Sequence, residues 1–412
     1  MIKYEKFQLD NGLTVIAHED YSTPMAVLNV MYDVGSRDEN PDKTGFAHLF
    51  EHLMFGGSVN IEEFDEELQI AGGENNAYTS PDVTNYYITI PADNIETAFW
   101  AESDRMLSLS FNPEVLEVQR KVVIEEFKQV YLNKPYGDVW LHMRELAYTT
   151  HPYRWPTIGK EISHIEKATM EDVKAFFATH YLPNNAVLVI GGPISTSETK
   201  RLAEKWFGPI PAKEIPTRNL PKEPRQIEKR TKVVESKVPL DAIYKAYHMC
   251  NRLHEDFFAS DILADVLGRD KSSRLYQRLV QEKKLMGSIS TYITGSSDEG
   301  LLVISGKLKE GVSFEMVEAE INKVIEELVM EGVSDEELFK LRNQAETGLL
   351  YEQLELLERC MSLASATVLG DTELANKELE DMTKVTKEQL LKVAKEVLRE
   401  ENSNVIYYKA IK

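Results

Sequence analysis

The chain has very little cysteine. Cys250 and Cys360 are the only two among 412 residues, and they lie far apart in the sequence. Two distant thiols provide no disulfide framework, and they are too few for a metal site built from cysteine. A metal site in this chain would therefore need histidine or carboxylate ligands.

The chain also has fewer positive than negative side chains. The sequence has 47 Lys and Arg residues against 68 Asp and Glu residues, which gives a formal net charge of −21. Nucleic acids and anionic membrane surfaces are negatively charged, so this balance argues against both as partners. A basic or neutral peptide is easier to accommodate.

The sequence lacks an apolar run long enough to span a bilayer, so no membrane span is expected. Residues Met1 to Lys6 contain no apolar core of a signal peptide and lead directly into a strand-like pattern. We expect a cytoplasmic protein, with a periplasmic location left open if a leader has been trimmed. A length of 412 residues with 42% hydrophobic composition suffices for two or more globular domains.

A His-x-x-Glu-His motif stands inside the apolar run from Phe46 to Phe55. On a helix, His48 and His52 are four residues apart and share one face, with Glu51 beside them. Two imidazoles at this spacing can hold one metal ion, and the carboxylate can act as a base toward water. The alternative is two partly buried histidines and a surface glutamate. Burying three polar side chains among apolar neighbours is costly without partners, which favours the metal site.

A third ligand is expected from the predicted helix that runs from Pro113 to about Tyr131. At 100° per residue, Glu126 lies centrally in a stripe of valines. A carboxylate on an apolar face requires a compensating charge, which a metal ion would supply. The alternative is a buried salt bridge to Arg or Lys. The remaining histidines show no such i, i+4 pairing.

The second half of the chain resembles a divergent repeat of the first. Residues 161–169 match residues 378–386, and the same offset of 217 aligns Asn185 with Asn402. We expect two homologous domains, at 1–210 and 231–412, joined by a proline-rich linker at 211–230. Strands occur in hairpins and helices in runs, so each domain is expected to be α+β, with a mostly antiparallel sheet packed with helices. The alternative is that the match reflects only the succession of helices, turns and strands that any two α+β domains have in common.

With these residues identified, the whole chain resembles the M16 (pitrilysin-type, inverzincin) metallopeptidases. It is similar in particular to short two-domain bacterial members related to the mitochondrial processing peptidase. Further matching blocks are Gly72-Gly73-x-x-Asn76-Ala77-x-Thr79-x-x-Asp82-x-Thr84, Asp104-Arg105-Met106, Arg120 to Glu126, His151-Pro152-Tyr153 and Ile158-Gly159.

The resemblance implies roles for single residues. His48, His52 and Glu126 would bind Zn²⁺, and Glu51 would be the general base. An edge strand, Asn76-Ala77-Tyr78-Thr79, would take an extended peptide by strand addition; the alternative for it is a core hairpin. The resemblance also implies a clamshell arrangement of the two domains around an enclosed cavity.

Two departures from the family pattern bear on function. Gln119 stands where relatives often carry a further Glu, so it would support the site only by a hydrogen bond to a zinc ligand. Val280 and Gly287 stand where the family has an Arg and a Tyr that contact substrate near zinc. Neither side chain can donate a hydrogen bond.

These departures shape the functional hypothesis. We expect a zinc endopeptidase subunit that needs a paralogous partner chain to supply the Arg/Tyr pair, as some family systems do. One alternative is a self-sufficient homodimeric peptidase with other donors, such as Arg274 or Tyr276. Another is a non-catalytic structural subunit. The sequence identifies neither the substrate peptide nor the partner.

Overall fold

The structure is a computed structural model, and it describes residues 1–411. Lys412, the last residue of the expected second domain, lies outside the described residues. The chain divides into two compact units. Unit 1 comprises residues 1–127, 155–220 and 350–377, and unit 2 comprises residues 128–154, 221–349 and those from 378 onward.

Each unit is built on one twisted sheet. The strands of unit 1 are β1 (Glu5–Gln8), β2 (Thr14–Glu19), β3 (Met25–Tyr32), β4 (Glu74–Thr79), β5 (Thr84–Pro91) and β6 (Ala186–Gly192). The strands of unit 2 are β7 (Arg230–Ser236), β8 (Ala242–Met249), β9 (Met286–Ile293), β10 (Gly300–Leu308) and β11 (Ser403–Ala410).

Helices cover these sheets. They are α1 (Phe46–Leu53), α2 (Phe64–Ile70), α3 (Ile95–Leu107), α4 (Pro113–Phe127), α5 (Val139–Ala147), α6 (Ile162–Glu166), α7 (Met170–His180), α8 (Thr196–Trp206), α9 (Phe257–Ala264), α10 (Phe314–Glu331), α11 (Asp335–Glu352), α12 (Leu356–Val368), α13 (Leu374–Lys384) and α14 (Lys387–Val397). Short 3-10 or π segments occur at Ser36–Asp38, Ala92–Asn94, Lys128–Leu132, Pro152–Arg154, Pro183–Asn185, Asp265–Arg269, Tyr276–Glu282 and Glu400–Asn402. Within residues 1–411, none of these helices combines the length and the apolar character that a bilayer crossing requires.

The strand order confirms the expected repeat. The first sheet runs β1-β2-β6-β3-β5-β4 and the second β7-β11-β8-β10-β9, so the second repeats the first without its outermost strand. In each sheet a single pair is parallel, β2 with β6 and β7 with β11. β6 begins at Ala186 and β11 at Ser403, which is the offset that the sequence comparison predicted. The predicted α+β class with mostly antiparallel sheets is therefore correct.

The compact units differ from the expected boundaries at 210 and 231. Although α12 belongs to the second half of the sequence, it packs on β3 and β6 of unit 1, where Cys360 and Leu363 meet Val27 and Val189. Conversely, α5 packs in unit 2 through Val139 and Met143. An amphipathic pattern predicts that a helix buries one face but does not say which sheet it covers. Boundaries read from the linker alone therefore misplaced both helices.

The expected linker has no helix or strand between residues 211 and 229, but one of its side chains, Glu223, is anchored. In unit 2, Glu223 accepts hydrogen bonds from the backbone N–H groups of Thr149 (2.8 Å), Thr150 (2.9 Å) and His151 (3.0 Å). Burial would raise the pKa of Glu223, but these donors outweigh it and lower the pKa to about 2. The ionised carboxylate therefore stabilises the fold.

We predict that Glu223→Gln lowers the midpoint of thermal unfolding at pH 7, at a cost of about 1–2 kcal/mol after allowing for partial exposure. A depressed carboxyl pKa stabilises the folded state above the unfolded value near 4.5, and this contribution is lost as the pH falls toward 2. The difference between variant and wild type should therefore shrink between pH 5 and pH 3. Glu214→Gln, an exposed change in the same segment, is the control. An equal effect of both variants would contradict the assignment.

Candidate metal site

Helix α1 places three polar side chains on one face because its opposite face is anchored in the core. Phe50 is fully buried and packs against Tyr181 with ring centroids 4.4 Å apart. Leu49 and Leu53 are buried on the same side. The helical period then turns His48, Glu51 and His52 away from this core.

The structure brings Glu126 of α4 to this face. Glu126 Oε1 lies 3.7 Å from His48 Nε2, and Glu126 Oε2 lies 3.4 Å from His52 Nε2. The two imidazole rings are 4.9 Å apart and nearly perpendicular. One ligand atom from each residue falls within 4.8 Å of the other two, a spacing that a single metal ion can bridge.

The environment of Glu126 differs from the prediction. Its side chain is 39% exposed, and the neighbouring Val122 and Val130 are 44% and 41% exposed. Val123 of the same stripe is fully buried, so the valine stripe is only partly a buried face, and burial alone does not explain the carboxylate. The ion pairs of Glu126 among the described residues are with the two histidines. Its hydrogen bond with His52, against a smaller effect of burial, lowers the pKa of Glu126.

His48 has the properties of a metal ligand. Burial lowers the pKa of His48 to about 4, against the opposing effect of Glu126, so the ring is neutral near pH 7. A neutral imidazole has a lone pair for a metal ion. Its buried Nδ1 has no hydrogen-bond partner among residues 1–411. A buried polar atom without a partner is costly, which fits a histidine that is kept for metal binding and not for stability.

Glu51 is held by the last residue of β4. The Thr79 hydroxyl donates to Glu51 Oε2 at 2.5 Å, and the backbone N–H of Thr79 adds a second hydrogen bond. Burial raises the pKa of Glu51, although these hydrogen bonds oppose the rise. A carboxylate oriented by a neighbour and with a raised pKa suits a general base near neutral pH. The sequence placed Thr79 on the substrate strand, but nothing in it pointed to this contact.

Strand β4 forms one edge of the first sheet. Among residues 1–411 it pairs with β5 alone, so its outer edge has no partner strand. Glu74, Asn76 and Tyr78 are exposed, and Asn75, Ala77 and Thr79 are partly buried. This alternation is typical of an outer strand and not of a core hairpin. The side-chain oxygen of Asn76 accepts a hydrogen bond from Ala77 N at 2.8 Å.

Comparison with known proteins identifies the family. Residues 14–160 match "Insulinase (Peptidase family M16)", and residues 167–345 match "Peptidase M16 inactive domain". A probable mitochondrial-processing peptidase subunit beta of Schizosaccharomyces pombe is 30% identical over 73% of this chain and 68% of its own length. The chain belongs to the M16 peptidase family.

Two further relatives cover the full length of this M16 chain. Zinc protease PqqE of Helicobacter pylori is 29% identical over 99% of this chain and 93% of the relative. The crystal structure of a protease from Helicobacter pylori superposes with a TM-score of 0.94 at 28% identity, over 99% of this chain and 100% of that chain. The two-domain M16 fold is thus shared over the whole sequence. Zinc also suits the donor set, since two imidazoles and a carboxylate are ligands that zinc takes in catalytic sites.

Gln119 lies on α4 two helical turns before Glu126 and is partly exposed. No hydrogen bond joins it to His48, His52 or Glu126 among the described residues. The expectation that Gln119 hydrogen-bonds a zinc ligand stays a prediction.

In unit 2, the two positions that depart from the M16 pattern offer no polar side chain. Val280 packs against the hydrophobic core of unit 2. Gly287 is exposed on β9, and an added Cβ would meet its nearest atom, Lys307 O, only at 4.0 Å. Arg274, an alternative donor, is bound to Glu337 at 2.7 Å and also donates to Gly332 O.

We predict that the purified chain retains about one zinc ion per molecule after dialysis. Glu126→Gln should lose most of that zinc, because the amide is a poor ligand that cannot balance the metal charge. Glu125→Gln changes the exposed neighbouring carboxylate and is the matched control. Metal analysis by mass spectrometry measures both. Equal zinc loss in the two variants would show that Glu126 is not a specific ligand.

Proposed function

We propose that this chain is the zinc-bearing subunit of an endopeptidase that hydrolyses peptide bonds. The observation that supports it is the convergence of His48, His52 and Glu126, with Glu51 on the same face of α1. Relatives named zinc proteases match this chain over nearly its full length. A scaffold subunit has no need of a general base oriented by Thr79.

The residues of this chain would divide the chemistry among them. His48, His52 and Glu126 would hold zinc, which as a Lewis acid polarises the scissile carbonyl and makes water more acidic. Glu51 takes the proton from the attacking water and passes it to the departing amine. The two hydrogen bonds from Thr79 fix the plane of the Glu51 carboxylate, so that the base points to one place.

The substrate would lie along β4. Its unpaired outer edge offers backbone donors and acceptors to an extended peptide, and side chains of alternating direction can select among sequences. The net charge of −21 favours basic or neutral peptides. Asn76, Ala77, Tyr78 and Thr79 would line that strand.

We predict that Glu51→Gln keeps zinc but loses hydrolysis by about 10²–10⁴-fold, because the amide cannot accept the proton from water. Cleavage of a quenched fluorescent peptide and metal analysis of the same sample test this. His254→Gln, a change at an exposed histidine of unit 2, is a control for general damage. Hydrolysis that persists in the Glu51 variant at full zinc content would remove Glu51 from the mechanism.

We also propose that the complete site needs a paralogous partner chain. Val280 and Gly287 provide no donors, and Arg274 is already engaged by Glu337 and Gly332 O. This engagement argues against the self-sufficient homodimer that would use Arg274 in place of the missing pair. The relative from Schizosaccharomyces pombe is named as a subunit of a peptidase.

The expected result is weak activity of the chain alone and a rise of about a hundred-fold when a paralogue with the Arg/Tyr pair is added, since each donor to the developing oxyanion contributes on that scale. Titration of the chain with the paralogue, followed by peptide cleavage, measures it. A paralogue with both residues changed to Ala and Phe is the control. Full activity of the chain alone, unchanged by the paralogue, would contradict the partner proposal.

A further inference from the structure

The first turn of α1 is capped by a carboxylate from outside the helix. Gly45 precedes the helix with φ of 88° and has no side chain to accept a hydrogen bond. Instead, Glu39 Oε2 accepts from Gly45 N at 2.9 Å, and Glu39 Oε1 accepts from Ala47 N at 2.8 Å. Both groups belong to the N–H donors that a helix start leaves unpaired, and a carboxylate there also complements the helix dipole.

Glu39 is itself rigidly held. It is 7% exposed, and the indole Nε1 of Trp155 donates to Glu39 Oε2 at 3.1 Å and to Ser36 O at 2.9 Å. Burial raises the pKa of Glu39, while the N–H donors, which bind both of its oxygens, oppose the rise and favour the ionised form. Burial of a carboxylate is costly, and here three N–H groups compensate for it.

The loop that carries Glu39 is tied to the turn after β4. Ser36 N donates to Ser80 O at 3.3 Å, Arg37 N donates to Pro81 O at 3.0 Å, and the Arg37 guanidinium lies 2.9 Å from Asp82 Oδ1. The two segments are in close contact, because a Cβ on Gly35 would lie 2.4 Å from Pro81 O.

One loop therefore holds both elements of the site. Through Glu39 it holds the first turn of α1 at Ala47, one residue before His48. Through the 80–82 turn it sets the end of β4, where Thr79 binds Glu51. A shift of either element changes the distance between the base and its donor, and shifts near 1 Å at such sites cost about a hundred-fold in rate.

We propose that Glu39 is a positioning residue that sets the placement of His48 and Glu51 without touching metal or substrate. The proposal rests on the proposed zinc peptidase function. Glu39→Gln would place an amide NH₂ group against one of the N–H donors, which leaves that donor unpaired and moves the first turn of α1.

The experiment measures the zinc dissociation constant of metal-free protein by competition with a coloured chelator. Glu39→Gln should raise this constant by about ten-fold, the scale at which residues supporting metal ligands act. It should also lower kcat for a fluorescent peptide with little change in KM. The control is Ser195→Ala, which removes the cap of α8, where Ser195 Oγ accepts from Glu198 N at 3.3 Å. It should lower the unfolding temperature of the metal-free protein but leave the zinc constant unchanged.

The outcomes separate the two proposals. A wild-type chain that binds no zinc overturns the proposed function and this inference with it. A wild-type chain that binds zinc, with Glu39→Gln equal to it in zinc constant and kcat, overturns the inference alone. If Glu39→Gln does not fold, Trp155→Phe removes one donor to Glu39 and should raise the zinc constant in the same direction by a smaller factor. No change in that variant likewise overturns the inference.

Discussion

The approach of one carboxylate to two imidazoles is the interaction on which the site depends. Glu126 lies within 3.7 Å of His48 and 3.4 Å of His52, although α4 and α1 are separate elements of the chain. Three polar groups at this distance are stable together only when protons or a metal ion balance their charges. Burial keeps His48 neutral, and His52 shares a hydrogen bond with Glu126. The proposed zinc ion would take the place of that hydrogen bond and bind all three side chains.

The sheet and the loops of unit 1 hold these side chains in place. Phe50 and Tyr181 anchor the inner face of α1, so its polar face cannot rotate. Thr79 comes from an edge strand to orient the base, and Glu39 comes from a loop to hold the first turn. A helix, a strand end and a capping loop thus form the site, and contacts among the three hold each of them in place.

Sequence reasoning succeeded where a local period carries the information. The i, i+4 spacing placed His48 and His52 on one face, and the offset between the halves predicted a duplicated domain, which the corresponding strand orders of the two sheets confirm. The same reasoning chose Glu126 on a premise that holds only in part, since Val123 is buried but Val122 and Val130 are exposed. The boundaries failed at α5 and α12, because a helix pattern does not identify the sheet that the helix covers. Glu39 was missed because two of its partners are backbone N–H groups and the third is the indole of Trp155, 116 residues away. The sequence shows only a glycine where a capping residue would stand.

The sequence by itself determined the chemistry that this chain can offer. It specified the two histidines and the glutamate of the motif, their shared helix face and the absence of side-chain donors at positions 280 and 287, because these depend on residue identity and on the 3.6-residue period. Only the tertiary structure decided which carboxylate faces the histidines, that Thr79 orients Glu51, and that Glu39 caps α1. The packing of the elements sets these contacts, and no regular spacing in the sequence predicts them, even for Glu39, which lies only six and eight residues from Gly45 and Ala47.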